Sequence, residues 1–421
     1  MKDFTGKKEF IVLGNNAYLL FLSVIPLAFL IFAFISDTPT NIFSGLRNII
    51  LSQDVLITDY LEIGGFSATL FNVSIISLIN IFIIYKLDLK VDGPVIAAIF
   101  TLTGFSFFGK TIFNILPTYL GGFIYYKFHK ISYREIFVTI MFSTCLSPSV
   151  SQIAFSSGLP IYSGVLIGFI FGIIGIFIIV PLSQNMAKLH DGYNLYNIGF
   201  TAGFIGILIN SLLKSFGVNI NPQLILSVKY HIFFRNFLFL YFILLIIIGY
   251  YKNQKSFKGY GRIFKYSGKL KTDYTELIGY GLTFINMGIM GLICMFFVFF
   301  TSGVFNGPII GGILTVVGFS AFGNHPSNSI PIMVGVFFGG VFKVWDIQST
   351  PAIIAGIFGT TLAPIAGSYG FYAGVLAGFL HLSVVMNIGW VHGGTNLYNN
   401  GFSGGLVASI LFPLFESLRK K

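Results

Sequence analysis

The sequence predicts an all-α fold: a polytopic transmembrane helical bundle with two inverted-topology repeats and paired broken or re-entrant helices. Three observations predict it, namely the composition, the apolar runs and an internal duplication. Hydrophobic residues make up 55% of the 421 residues and charged residues 9%, whereas a soluble domain carries about 25% charged residues. Apolar runs such as Leu19–Ile35, Val165–Val180 and Phe237–Tyr250, taken with their flanks, reach the roughly 20 residues that a helix needs to span a bilayer.

Basic residues are concentrated in one predicted loop. The chain has a net charge of +11, and the stretch 251–272 contains seven lysines and arginines without an acid. Loops on the cytoplasmic side of a membrane carry an excess of Lys and Arg, so we interpret this stretch as a cytoplasmic loop near anionic lipid headgroups. A nucleic-acid patch is the alternative, which so apolar a chain disfavours. We therefore expect membrane lipids as partners and no nucleic acid.

Motifs of the first half of the chain return in the same order in the second half. Thr58-Asp59-Tyr60-Leu61-Glu62 returns 214 residues later as Thr272-Asp273-Tyr274-Thr275-Glu276. The same offset pairs Asn72 with Asn286, Asp92-Gly93-Pro94 with Asn306-Gly307-Pro308, Gly104-Phe105-Ser106 with Gly318-Phe319-Ser320, and Asn114 with Asn328. Small insertions and deletions then shift the register, so that Pro148 matches Pro364 and the block His190–Phe200 matches His392–Phe402. We infer two copies of one repeat, at about 58–213 and 272–413.

The duplication divides the chain into four parts. Residues 1–57 form an N-terminal cytoplasmic tail, a first transmembrane helix and a loop, and residues 58–213 form membrane repeat 1. Residues 214–271 form a linker helix and the basic loop, and residues 272–421 form membrane repeat 2 with a short tail. This arrangement resembles a family of bacterial integral membrane proteins known as a domain of unknown function, in which the region is present as two copies. The resemblance implies a location in the bacterial cytoplasmic (inner) membrane and no particular activity.

The charge pattern predicts how the copies are oriented. Lys2, Lys7 and Lys8 near the start and Arg419-Lys420-Lys421 at the end predict that both termini are cytoplasmic. Repeat 1 then begins outside at Asp59, and repeat 2 begins inside at Asp273. Copies of opposite orientation are typical of transporters and channels.

Each copy contains two segments that are interrupted by polar residues, Pro or Gly. The first comprises 137–158, broken at Pro148, and its match 353–370, broken at Pro364. The second follows the His block and runs to about residue 213 or 412. Pro and Gly at membrane depth free backbone groups that need partners in protein or water, and paired broken segments are typical of substrate sites. The sequence leaves open whether these segments span the membrane or are re-entrant.

The candidate substrate-binding residues come mainly from the repeated His block. They are His190, Asn194, Tyr196, Asn197, His392, Asn396, Tyr398 and Asn399, with Ser106, Ser320, Asn114, Asn328, Pro148 and Pro364 as further candidates. Amide, imidazole and phenol groups donate and accept hydrogen bonds and suit a small polar solute. The alternative is that these residues cap helices and link them. Because the acid at Asp191 is Gly393 in the other copy, we expect no metal, and we expect no cofactor.

Two further features have structural and functional interpretations. The Thr-Asp-Tyr-x-Glu motif resembles a capping box with Asp as the cap, with ion binding as the alternative. Lys110 follows the Gly-Phe-Ser-x-Phe-Gly block in copy one where copy two has Asn324, an asymmetry that an enzyme would allow.

We therefore predict a transporter or channel that moves a small polar solute through a pathway at the interface of the repeats. The repeat order is similar to that of urea transporters, as is the string Gly192-Tyr193-Asn194. The alternatives are a membrane-embedded enzyme or lipid-handling protein that uses His190 and His392 as acid–base groups, and a non-transporting scaffold. The sequence has no P-loop, nucleophile elbow or zinc motif, so we do not expect an enzyme. A homo-oligomer is left open.

Overall fold

The computed structural model describes residues 14–220, 222–270 and 272–419, which form helices without β-strands. Ten helical segments of this part of the chain are long and apolar enough to cross a membrane. The prediction of an all-α polytopic bundle is confirmed. Lys2, Lys7, Lys8, Lys271, Lys420 and Lys421, used above to predict the orientation, lie outside the described residues.

The helices follow the same order in both repeats. The N-terminal part contains α1 (Asn15–Leu22), α2 (Val24–Ser36) and α3 (Pro39–Ile50). Repeat 1 contains α4 (Tyr60–Ile63), α5 (Gly65–Lys86), α6 (Gly93–Phe105), α7 (Ile112–His129), α8 (Tyr133–Ser143), α9 (Ser147–Ser156), α10 (Ile161–Leu189) and α11 (Asn197–Ser215). After the linker α12 (His231–Lys252), repeat 2 contains α13 (Tyr274–Leu277), α14 (Tyr280–Phe300), α15 (Gly307–Phe319), α16 (Pro326–Phe342), α17 (Thr350–Phe358), α18 (Ala363–Tyr369), α19 (Phe371–Ile388) and α20 (Asn399–Arg419).

The proline-broken segments each form two helices joined by a short 3₁₀ turn. The turn Thr144–Leu146 joins α8 to α9, and the turn Gly359–Leu362 joins α17 to α18. Pro148 and Pro364 lie in the first turn of α9 and α18, where the missing N–H of proline costs no helical hydrogen bond. The joined units cover 24 and 20 residues, which is long enough to span a bilayer at 1.5 Å per residue.

Helices α6 and α15 pack against each other in opposite directions at the centre of the protein. A Cβ atom built on Gly104 would lie 2.6 Å from the carbonyl oxygen of Gly311, and one built on Gly318 would lie 3.0 Å from Cα of Ala97. The repeat register equates Gly104 with Gly318 and Ala97 with Gly311, so the same contact occurs twice. Equivalent helices of the two repeats therefore run antiparallel, as inverted repeats require.

Helices α11 and α20 meet at a second such contact. Cβ atoms built on Gly199 and Gly401, which are equivalent residues, would each lie within about 3.2 Å of the Cα atom of the other glycine. Only glycine allows helices so close an approach. A residue in contact with its own counterpart lies on the pseudo-two-fold axis that relates the repeats, so this contact and the α6–α15 contact define the axis.

Candidate solute pathway between the repeats

The carboxylate of Asp59 binds the backbone of three segments. Its Oδ1 accepts the N–H of Leu61 at 2.9 Å in its own helix α4, which is the predicted cap role. Its Oδ2 accepts the N–H of Gly307 at 3.0 Å, at the start of α15 in the other repeat, and that of Ser227 at 3.1 Å. Burial raises the pKa of Asp59 to about 6, and these backbone hydrogen bonds oppose that rise. Asp59 therefore joins the two repeats.

Asp273 makes the equivalent contacts on the opposite side. Its Oδ1 accepts the N–H of Thr275 at 2.8 Å, and its Oδ2 accepts the N–H of Gly93 at 3.2 Å, at the start of α6. The reciprocal half of a capping box is absent at Asp59, because its own N–H donates to the carbonyl of Ile225 instead. The motif is thus a double cap rather than the capping box that the sequence predicted.

The asparagines of the His block connect the repeats across the axis. Asn194 donates to the carbonyl of Gly401 at 3.0 Å, and Asn396 donates to the carbonyl of Gly199 at 3.1 Å. The amide oxygen of Asn194 accepts from Thr361 at 2.6 Å. All these side chains are buried. Their hydrogen-bonding groups are occupied by the protein itself, which is the linking role that the sequence left open.

The histidines of the block bind the asparagine seven residues later. His190 Nε2 lies 3.0 Å from Oδ1 of Asn197, and His392 Nε2 lies 2.8 Å from Oδ1 of Asn399. The N–H of Asn194 donates to His190 Nδ1 at 3.3 Å, so the imidazole is neutral and donates through Nε2. These contacts order the turn that leads into α11 and α20.

A central cavity of about 190 Å³ lies at the pseudo-two-fold axis. Equivalent residues of both repeats line it: Thr101 and Thr315, Phe105 and Phe319, Phe142 and Phe358, Leu195 and Leu397, Tyr196 and Tyr398, and Gly199 and Gly401. The wall is mostly apolar, and its polar residues are the two threonines, the two tyrosines, Asn197 and Asn400. The hydroxyls of Thr101 and Tyr196 are buried and have no hydrogen-bond partner among the described residues.

Two aromatic clusters border the cavity on either side of the axis. Phe105 lies 4.7 Å from Tyr398 and 5.5 Å from Phe358, measured between ring centroids. In the other cluster Phe319 lies 4.5 Å from Tyr196 and 5.7 Å from Phe142. The clusters are equivalent under the repeat register, so a solute in the cavity meets the same surface from both directions.

A second, outer cavity of about 470 Å³ adjoins the central one. The two cavities share Phe358, Leu397 and Asn400. Leu56, Phe108 and Asn399 line the outer cavity, and Gln223 and Trp390 lie in its wall as well. The repeat counterparts of Leu56, Phe108 and Asn399 line the central cavity, and these are Leu270, Phe322 and Asn197 respectively. The two cavities thus adjoin, and three residues of the outer cavity have counterparts of the same type in the wall of the central cavity.

Lys110 is a buried lysine near the central cavity, and it was predicted only as an asymmetry between the repeats and not as a site residue. It follows the end of α6 and is 0% exposed. Its Nζ donates to the hydroxyl of Tyr398 at 2.7 Å. The equivalent residue, Asn324, has an amide oxygen without a partner among the residues described. A lysine between two short apolar runs with no acid nearby is the signal that could have identified it.

Asp54 is a buried carboxylate just before repeat 1, and the 214-residue offset places Gly268 at the equivalent position before repeat 2. It accepts hydrogen bonds from Ser52, Tyr60 and Ser151, each at 2.6 Å, and from Asn114 at 3.0 Å. Burial raises the pKa of Asp54 to about 6, and the four hydrogen bonds oppose that rise. This residue too was missed, because the sequence places it in a loop.

The remaining predicted residues have these positions. Tyr196, Tyr398 and Asn197 line the central cavity, and Asn399 lines the outer one. The hydroxyls of Ser106 and Ser320 donate to the carbonyls of Leu102 and Val316, and these serines line neither cavity. Asn114 and Asn328 lie in the first turns of α7 and α16, where each side chain accepts the N–H of the cap residue. No group of three His, Cys, Asp or Glu side chains suited to a metal occurs among the residues that the structure describes.

Two regions of the chain match one known protein family. The model of the family described as "Protein of unknown function (DUF1576)" matches residues 38–215 and again residues 252–417. The chain belongs to this family. The two matched DUF1576 regions agree with the predicted resemblance to a domain of unknown function present as two copies, and each contributes one tyrosine, Tyr196 or Tyr398, to the central cavity. No curated protein and no solved structure matches the chain.

Proposed function

We propose that the protein is a transporter or channel that moves a small polar solute between the two repeats. The observation that carries the proposal is the central cavity at the pseudo-two-fold axis, bordered by equivalent residues of both repeats and adjoined by an outer cavity. A solute that enters a pathway from either membrane face should meet the same surface, so a pathway needs two equivalent copies of that surface. A catalytic site needs only one. Sites between inverted repeats near the middle of the membrane are typical of transporters.

The orientation in the membrane is part of this proposal. Lys90 binds Glu276 at 2.5 Å, and Arg134 lies 3.8 Å from Asp88, so the loops before α6, after α7 and before α14 lie on one face. The basic loop that follows α12 leads into this face. We place the face in the cytoplasm, since cytoplasmic loops carry the excess of basic residues, and we place the protein in the bacterial inner membrane.

The proposal is tested by measuring solute flux into proteoliposomes that contain the folded protein. Cys145 and Cys294 are buried and would be replaced by Ala, and Thr315→Cys would place one thiol in the wall of the central cavity. Flux of urea, acetamide, propionamide and short-chain carboxylates would be measured before and after the thiol is alkylated. We expect alkylation to block the flux of the transported solute, because the added group fills the cavity.

A matched control has its thiol on the lipid-facing surface. Leu240 on α12 is 66% exposed, so Leu240→Cys is expected to be alkylated without an effect on flux. Equal flux through both alkylated proteins would overturn the assignment of the pathway. Absence of flux for every solute in folded, unmodified protein would favour the enzyme or scaffold alternatives.

A further inference from the structure

The side-chain amine of Lys110 is buried, and no carboxylate of the described residues serves as its counter-ion. No carboxylate of the described residues lies within 4.0 Å of it, and the ion pairs that occur there involve other, more exposed residues. Its neighbours include the hydroxyl of Tyr398, at 2.7 Å, and the rings of Phe105 and Tyr398, whose centroids lie 5.3 Å and 4.9 Å from Nζ. The charge belongs to repeat 1 alone, since repeat 2 has Asn324 there.

These neighbours satisfy only part of what an ammonium group needs. An ammonium group carries three N–H donors, and Lys110 has one hydrogen-bond acceptor. Burying a charge is costly unless it is paired, and charged residues at membrane depth mark substrate or ion pathways. Contacts with aromatic faces offset only part of the cost of removing an ion from water. An anion close to Lys110 would supply the missing interaction.

The central cavity shares two of its lining residues with the surroundings of Lys110, which is not itself in the cavity wall. Tyr398 and Phe105 both contact Lys110 and line the cavity. The cavity wall contains no Asp, Glu, Lys or Arg, so no negative charge of the wall repels an anion. The unpartnered hydroxyls of Tyr196 and Thr101 can donate to it.

The size and the apolar character of the cavity limit the rest of the solute. A dry cavity of about 150 Å³ holds a molecule such as benzene, and this one has a volume of about 190 Å³. Rings such as Phe105 and Phe319 form much of its wall and favour a short hydrocarbon portion. A hydrated inorganic ion would leave this apolar surface without a matching partner.

We propose that the transported solute is a small monovalent organic anion, a short-chain carboxylate, whose charge Lys110 balances and whose oxygens accept hydrogen bonds from the tyrosine hydroxyls. This inference rests on the proposed transport function and names its substrate class.

The test compares labelled propionate with its neutral isostere propionamide in proteoliposomes, with leakage measured in protein-free liposomes. Methanesulfonate serves as a third probe because it does not cross lipid as a neutral acid. In the wild-type protein we expect faster flux of propionate and methanesulfonate than of propionamide. Lys110→Asn, which introduces the residue of repeat 2, should lower anion flux about tenfold because the attraction of an opposite charge in a low-dielectric site is lost. Propionamide flux should change little.

A second variant, Tyr398→Phe, tests the same inference if Lys110→Asn does not fold. Tyr398→Phe retains the ring and the buried lysine but removes the hydroxyl between them, and it should also lower anion flux selectively. Propionamide flux that equals or exceeds propionate flux in the wild type, or anion flux that is unchanged in both folded variants, would overturn the inference while the transport function stands. Absence of flux for all three probes and for the neutral solutes above would overturn both proposals.

Discussion

Asp59 accepts a hydrogen bond from the backbone N–H of Gly307 at 3.0 Å, although the two residues are 248 positions apart in the chain. The mirror contact joins Asp273 to Gly93 at 3.2 Å. Each carboxylate thus lies at the N-terminus of the central helix of the other repeat, where the helix dipole favours a negative charge. The docking of the repeats and the capping of their central helices depend on the same two acids.

Replacement of Asp59 by Ala should therefore destabilise the whole molecule rather than one helix end. Three backbone N–H groups would lose their acceptor, and hydrogen bonds to charged groups contribute about 1.5–3 kcal/mol each. We expect a loss of several kcal/mol, measured as a lower midpoint of thermal unfolding in detergent. Glu62→Ala, which changes an exposed acid of the same motif, should leave the midpoint nearly unchanged. A similar midpoint for both variants would contradict the double-cap role.

The asparagines of the His block offer a second stability test. Asn194→Ala leaves the carbonyl of Gly401 and the hydroxyl of Thr361 without their partner in a buried site, and each unsatisfied group costs about 1–3 kcal/mol. We expect Asn194→Ala and Asn396→Ala to lower the unfolding midpoint in the same way. If either variant unfolds like wild type yet loses solute flux, the asparagines contact the solute and the linking role is wrong.

The buried carboxyl of Asp54 predicts a pH dependence of stability. Burial raises its pKa in the folded protein from 3.8 to about 6, so the folded protein holds this proton more tightly than the unfolded chain does. The resulting stabilisation is complete below pH 3.8 and is lost as the pH rises through about 6, and two pKa units correspond to about 3 kcal/mol.

The difference between wild type and Asp54→Asn isolates this contribution. On going from pH 7 to pH 5, wild type should gain stability relative to the variant, as measured by chemical unfolding at both values. Glu62→Gln is a control at an exposed acid and should follow wild type. A variant that follows wild type across this range would show that Asp54 does not titrate there.

The sidedness of the pathway can be measured with single cysteines in the Cys145→Ala, Cys294→Ala background. Gln223 borders the outer cavity, and Leu270 borders the central cavity at the equivalent of Leu56. A membrane-impermeant thiol reagent added outside intact cells should modify Gln223→Cys and not Leu270→Cys, and in inverted vesicles the preference should reverse. Equal modification of both cysteines from one side would contradict the proposed orientation.

The sequence was sufficient to predict the helical class and the duplication, because apolar length and repeated motifs are local properties of a chain. Tyr196 and Tyr398 were identified as candidates for the same reason. The partners of Asp59 could not be predicted, since the N–H of Gly307 becomes its neighbour only when the two repeats dock. Thr101 and Thr315 were missed within apolar helices, where a threonine resembles its β-branched neighbours. Asp54 falls in a predicted loop and Lys110 was predicted only as an asymmetry between the repeats, and only the packing of the repeats shows that both are buried.

The glycine contacts of α6 with α15 and of α11 with α20 have a consequence for how such a protein could arise. Each contact joins a segment to the equivalent segment running the other way, so the surface that one repeat presents is complementary to itself. A shorter polypeptide with a single repeat would form this core only as a pair of chains inserted in opposite directions. When two such copies are fused by a linker that crosses the membrane an odd number of times, as α12 does once, the two copies are fixed in opposite orientations. Their sequences can then diverge. Lys110 opposite Asn324, and Asp54 opposite Gly268, are differences that a pair of identical chains could not have had.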